Sequence, residues 1–313
     1  MSKQSVKAFK NTMEEKQIKF WIHSPSTDPE ITPLSLYHYT SDYSKNQIVN
    51  EEKGSVNFQL SKASGFLDKN EGIYILEPYF HACGYLYDKN IIDYDFYKLL
   101  RTVKVSNIRR GLKSIWILCL TAEGYSKFMK ERYAPNDGWL IELSMNAFDE
   151  LVSEFNDDVD NYPNYIYMAE IRYSYHEMKE NIQDFIIEIF KCYKSDSCTS
   201  KKTKNNLVIR TIESYLCRYN FCYKSSAYKE EKEIRLICNI KKQFDRWSSR
   251  DNHRMQLYFE KGILNLCFEQ GCYRQSMQQL DVYNSIELNK LCTTSTEIRE
   301  TVKKRSQEFE SEN

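Results

Sequence analysis

The stretch Glu230-Glu231-Lys232-Glu233-Ile234-Arg235-Leu236-Ile237-Cys238 constrains the fold of this chain more than any other. A strand alternates its side chains between two faces. On that period Ile234, Leu236 and Cys238 share one face with Lys232. Glu231, Glu233 and Arg235 share the other, with Ile237 behind them. Two carboxylates and a guanidinium then point one way from a segment otherwise apolar enough to lie inside. Like charges along one strand face repel. Either this is an edge strand with a solvated face, where Arg235 offsets Glu233, or it is the wall of an active site.

The rest of the chain narrows the setting. Its 313 residues, 41% of them hydrophobic and 24 of them Tyr, have a globular composition and are enough to bury a substantial core. No apolar run is long enough for a membrane span. The first residues, Met1 to Lys19, are polar and charged, unlike a secretory signal. The ten Cys form no CxxC pair, and Cys119, Cys238 and Cys267 sit inside apolar runs. They read as reduced core residues of a cytoplasmic protein. Basic and acidic residues balance at 44 each, so any polyanion site is local. Three basic stretches stand out, around Lys104, Arg109 and Arg110, around Lys194, Lys201, Lys202 and Lys204, and from Lys241 to Arg254. Each is equally a solvated face. There is no GxGxxG, GxxxxGK or HExxH, and the five His are scattered, so no metal is expected.

Along the chain, residues 1–33 read as a Pro-punctuated arm and residues 34–313 as one α+β domain. Leu36 to Thr40 alternates as a strand, with Leu36, His38 and Thr40 on one face and Tyr37 and Tyr39 on the other. A short helix is predicted from Ser44 to Glu52, and a strand from Val56 to Ser61. Residues 73–100 resist assignment. Ser114 to Thr121 has the apolar continuity of a strand buried on both faces. A helix over Ala122 to Ala134 and a strand over Gly138 to Leu143 follow. Ser144 reads as the N-cap of a helix carrying Phe148, Leu151, Val152 and Phe155. Tyr165 to Tyr173 alternates as a strand. Helices are predicted over Met178 to Tyr193 and Val208 to Tyr219, with a polar, basic loop between them. Met255 to Glu260 and Ile263 to Glu269 read as a hairpin, Ser285 to Leu288 as a short strand, and Thr294-Ser295-Thr296-Glu297 as a capping box.

Taken together, a His on an early strand, a small polar residue on the next and a late E-x-E pair resemble the mono-ADP-ribosyltransferase superfamily. The chain also resembles a bacterial domain family of unknown function that reads like a branch of that fold. Its motifs are matched by Tyr37-His38-Tyr39-Thr40-Ser41, by Phe66 to Glu71 with Asp68 and Glu71 in place, and by Cys119-Leu120-Thr121. Further matches are Met129-Lys130 with Tyr133-Ala134, Ile171-Arg172-Tyr173, and Tyr228 with Glu231, Glu233 and Arg235. An Asn and a Pro of the second motif are absent, and Trp is absent or replaced by Tyr in the fourth and last.

The resemblance implies a mixed β-sheet core with flanking helices, NAD as co-substrate and no metal. It implies Glu233 as the carboxylate facing the anomeric carbon and Glu231 as the group that orients or deprotonates the acceptor. His38 would hydrogen-bond the NAD ribose and Ser61 support it. Tyr37 or Tyr39 would stack on a ring of NAD, and Arg235 would neutralise Glu233 or contact a phosphate. Asp68 and Glu71 would shape a loop. The implied protein is a cytoplasmic toxin or phage-defence effector acting on nucleic acid, RNA or DNA, and restrained by a neutralising partner protein. Transfer to protein arginine is the alternative, and a non-catalytic nucleotide- or nucleic-acid-binding module the second.

Overall fold

Apolar alternation and helical stripes sort the described residues into two sheets and a layer of helices. The computed structural model of the chain describes residues 35–50, 55–63, 73–136, 138–157, 165–195, 200–240, 256–260, 263–268, 271–276 and 280–284. The arm, Asp68 and Glu71, the third basic stretch, the 285–288 strand and the capping box all lie outside the described residues.

The strands are β1 (Ser35–Thr40), β2 (Val49–Asn50), β3 (Ser55–Gln59), β4 (Ser61–Lys62), β5 (Ile115–Thr121), β6 (Trp139–Ser144), β7 (Tyr165–Glu170), β8 (Glu233–Asn239), β9 (Gln256–Glu260), β10 (Ile263–Phe268), β11 (Gly271–Ser276) and β12 (Leu280–Asn284). The α-helices are α1 (Asp42–Ile48), α2 (Leu76–Asp88), α3 (Tyr94–Leu100), α4 (Val105–Gly111), α5 (Lys127–Tyr133), α6 (Met145–Asp157), α7 (Tyr175–Ser195) and α8 (Lys201–Tyr219). The fold is α+β. The main sheet has the order β12-β6-β1-β5-β8-β7, with β4 also paired to β5, and the second sheet runs β11-β10-β9-β3-β2. Each pairing within the two sheets is antiparallel.

β8 lies between β5 and β7, and all seven of its residues are buried. The edge-strand reading is therefore replaced by an interior one. Ile234, Leu236 and Cys238 join Trp116, Leu118 and Leu120 of β5 in a core shared with α6, through Phe148, Leu151 and Phe155, and with Val56 and Phe58 of β3. On the reverse face Ile237 joins Ile115 and Ile117 beneath the helices. Met178, Ile182, Phe185, Ile186 and Ile189 of α7 form a stripe at helical spacing, as do Val208, Ile212, Tyr215, Leu216 and Tyr219 of α8.

Several elements depart from the sequence reading for local reasons. The Ser41 hydroxyl accepts from the Ser44 amide, so α1 starts at Asp42, and Val49 is already extended and paired as β2. The predicted Val56–Ser61 strand is two strands, because the chain leaves the second sheet at Leu60 and enters the main one at Ser61. Ser144 ends β6. The basic loop before Val208 is the start of α8, capped by Ser200, whose hydroxyl accepts from the Thr203 amide. The unassigned 73–113 segment holds α2, α3 and α4, and Leu76, Tyr79, Cys83 and Leu86 supply the α2 stripe. Among the described residues no helix is long and apolar enough to cross a membrane.

Leu236 is wholly buried in the core on the α6 side of the main sheet. Leu236→Ala should lower the unfolding free energy by about 3 kcal/mol, read as a shift in denaturant midpoint at constant slope. A loss under about 1 kcal/mol would contradict the interior position of β8.

Candidate active site around Glu231 and Glu233

The strand containing the two glutamates begins later than alternation implies. Glu231 ends a 3-10 turn, Ser226–Glu231, which opens on a Ser225 cap, and Lys232 turns the chain in the left-handed region at φ 41° and ψ 51°. Only then does β8 start. This conformation is uncommon for a residue with a side chain. It replaces strand alternation as the reason both carboxylates face the same way. Thr121, at the end of β5, pins the turn by donating its hydroxyl proton to the Glu231 carbonyl at 2.8 Å.

Both carboxylates meet at Lys224. Its Nζ lies 2.6 Å from Glu231 Oε2 and 3.1 Å from Glu233 Oε2. The amide of Lys224 donates to the Arg172 carbonyl, which ties this segment to the end of β7. Arg235 grips Glu233 with both arms, Nε to Oε1 at 2.7 Å and Nη2 to Oε2 at 2.9 Å, and sends Nη1 to the Phe221 carbonyl at 3.2 Å. Cys119 and Ala169 flank Arg235 on the neighbouring strands, and their small side chains leave room for the guanidinium on the sheet face. The amide of Glu233 donates to the Tyr173 hydroxyl at 2.9 Å. Glu231 accepts at Oε1 from the Tyr133 hydroxyl at 2.5 Å, with Arg132 Nε at 3.8 Å.

The electrostatics follow from this packing. Burial pushes the Glu233 carboxyl up. The charge and hydrogen bonds of Arg235, with the charge of Lys224, outweigh that and hold it below its ordinary 4.5. Burial disfavours the Lys224 ammonium, but the two carboxylates reverse this and push its pKa up. Burial, then the bond to Glu231, raises the Tyr133 phenol. Glu231 and Glu233 thus share Lys224, and Glu233 also pairs with Arg235.

Both glutamates are themselves buried, Glu231 at 2% and Glu233 at 4% exposure, and only their partners differ. Arg235, the main partner of Glu233, is 0% exposed, whereas Tyr133, the partner of Glu231, is 37% exposed. Glu231 is the carboxylate whose contacts reach the surface.

The other expected site residues divide. One register row runs Glu142–Tyr37–Thr121–Glu233 across β6, β1, β5 and β8, so these residues share a face. Tyr37 and Tyr39 are on that face but buried. Tyr37 donates to Glu142 at 3.2 Å, and its ring fills the space where a Cβ on Gly124 would stand. Tyr39 donates to the Gly124 carbonyl at 2.8 Å and accepts from the Ser126 amide. Both brace the loop before α5; neither presents a ring face to a ligand. His38 is one residue out of that row and so lies on the opposite face. Its ring meets Phe58 edge-on at 5.2 Å, its Nδ1 donates to the Cys119 carbonyl at 3.1 Å, and burial lowers its pKa. The sheet separates His38 from Glu233, so the two do not form one site. Ser61 is exposed and pairs with Ile117, four residues along β5 from Thr121, roughly 13 Å away. The exposed Arg109, Arg110, Lys201 and Lys202 are on α4 and α8, elements that do not carry the site, and Lys201 pairs with Asp95 at 2.9 Å.

Lys224 and Arg132 belong to the cluster with no sequence signal beyond their charge. Thr121, Tyr133, Tyr173 and Tyr228 do have one: they occupy the motif positions quoted above. Among the described residues, no group of three or more His, Cys, Asp or Glu is placed to hold a metal ion. No family model, curated protein or solved structure matches the chain.

Glu233→Gln would leave Arg235 buried without its counter-charge, at an expected cost of about 3–5 kcal/mol. The sign of the pH dependence is fixed by the lowered carboxyl. Below 4.5 the unfolded chain takes up the proton first, so the wild type loses this contribution as pH falls through the folded-state value. The variant should lack that component of acid destabilisation, measured by urea midpoints from pH 7 to pH 3. Parallel pH curves for the two proteins would contradict an ionised Glu233.

Proposed function

We propose that this chain is an ADP-ribosyltransferase that takes NAD as substrate, with Glu231 as the working carboxylate. The observation that carries the reading is convergence. Thr121, Tyr133, Tyr173, Tyr228, Glu231, Glu233 and Arg235 carry the family resemblance from separate stretches of sequence, and they gather around one pair of carboxylates. A merely structural ion network has no need of a half-exposed phenol on one of its carboxylates.

The roles differ from those the resemblance implies. Glu233, fixed by the bidentate Arg235, positions Lys224 and the turn. Glu231, reached through Tyr133, faces the reacting groups. In the transfer, the bond between the ribose anomeric carbon and the nicotinamide nitrogen breaks, and its electron pair leaves on nicotinamide. A lone pair of the acceptor forms the new bond to that carbon, and the acceptor proton passes to Glu231. A fixed carboxylate near the developing positive charge lowers the barrier without reorganisation. His38, Ser61, Tyr37 and Tyr39 have no direct part. RNA or DNA is the proposed acceptor, with protein arginine as the alternative, and a neutralising partner restrains the activity in the cell.

The second reading is a non-catalytic nucleotide-binding module. It is favoured by the charge balance, two carboxylates against Lys224 and Arg235, which is also what a purely structural cluster needs.

Nicotinamide release separates the two readings. The full chain, incubated with NAD together with RNA, DNA and cell lysate, should release nicotinamide. Glu231→Gln, assayed under conditions where circular dichroism shows it folded, should lower the rate by about a hundredfold or more. No release by folded wild type with any acceptor would leave the binding-module reading.

A further inference from the structure

We infer that Arg132 is a phosphate-binding group, seated at the exposed rim of this site to recognise the phosphate of a nucleotide. The inference rests on reading the Glu231 rim as the working site, and it adds the ligand group held there.

Arg132 comes from the last turn of α5 and its side chain is 43% exposed. Three rings surround the guanidinium, Tyr228 at 5.2 Å, Tyr133 at 5.6 Å and Phe128 at 5.7 Å. Such contacts hold a cation in place without consuming its N–H donors. Its approach to Glu231 is 3.8 Å, an ion contact too long for a hydrogen bond. Glu231 is already occupied by Lys224 and Tyr133. Among the described residues the guanidinium donates no hydrogen bond, so its planar fork of donors is oriented and available.

Charge selects the ligand class. Within the cluster Lys224 and Arg235 offset the two glutamates, so Arg132 leaves three cations against two carboxylates, a surplus of one positive charge. An anion with two acceptor oxygens in a plane matches the fork. The phenol of Tyr133, among the exposed large side chains, stands beside the guanidinium, where the flat heterocycle of a nucleotide would lie. That phosphate belongs either to a dinucleotide substrate or to the backbone of a nucleic-acid acceptor.

Calorimetric titration of the full chain with ADP, and separately with a single-stranded oligonucleotide, tests the inference and tells the two sources apart. Arg132→Gln should weaken binding of at least one probe about tenfold or more, and Arg132→Lys, which keeps the charge but loses the fork, should fall between. Loss confined to ADP assigns the clamp to the dinucleotide. Loss confined to the oligonucleotide assigns it to the acceptor strand, and loss of both shows a shared subsite. Unchanged affinity for both probes in a folded Arg132→Gln, or no binding of either probe by the wild type, would overturn it. The transferase reading fails separately. Wild type that binds ADP through Arg132 yet releases no nicotinamide keeps the clamp and removes the transferase. Nicotinamide release by the wild type, with affinity for both probes unchanged in Arg132→Gln, does the reverse.

Discussion

A guanidinium buried on the face of a central strand must be neutralised, and the way Arg235 is neutralised organises this end of the molecule. An uncompensated charge in that position costs several kcal/mol. Glu233 supplies the counter-charge two residues away on the same strand, in a bidentate pair. That pair needs small neighbours, which Cys119 and Ala169 provide, and a carbonyl for the remaining donor, which Phe221 provides. With Glu233 fixed, Lys224 has one stationary partner and can bring in the second, Glu231. Each later contact at the site depends on that first pair.

The result is a graded cluster. Its inner half, Arg235 and Glu233, is dry and fixed. Its outer half joins the buried Glu231 to Tyr133 and Arg132, and those two reach solvent. A fixed inner layer holding an accessible outer one is the arrangement that lets a functional group keep its geometry while meeting a ligand. The loop before α5 is held the same way. Tyr37 and Tyr39 reach it from β1 and set where α5 begins, and so where Arg132 and Tyr133 come to stand.

Period-two alternation identifies β1 and β8 and which of their residues share a face, and apolar continuity identifies β5 as a strand buried on both faces. Alternation places Glu231 on β8 because nothing in the letters shows that Lys232 leaves the extended region. It also separates His38 from Tyr37 and Tyr39. That carries the correction to the expected constellation, since Tyr37 shares a register row with Glu233 and His38 cannot. The helices of the 73–113 segment are hard to read because Tyr and Ile occur both on and off the buried stripe. The change of sheet at Leu60 leaves no mark, since Val56, Phe58 and Leu60 keep one apolar period across it. Lys224 and Arg132 are recognisable only in three dimensions.

The position of β8 in the chain has a kinetic consequence. Its two neighbours in the sheet, β5 and β7, both precede it in sequence, and its partner residues on β5 lie more than a hundred positions away. While the chain is being made, these two strands leave a seam that only β8 fills. Contacts so distant in sequence form slowly, because their loop-closure entropy is lost before they are made. The seam is lined by apolar strand and is a hazard for misassociation until it closes. Glu233 and Arg235 travel on the strand that closes it. The charged cluster is thus assembled in the same step that completes the sheet, and a partly folded chain has no site to act with.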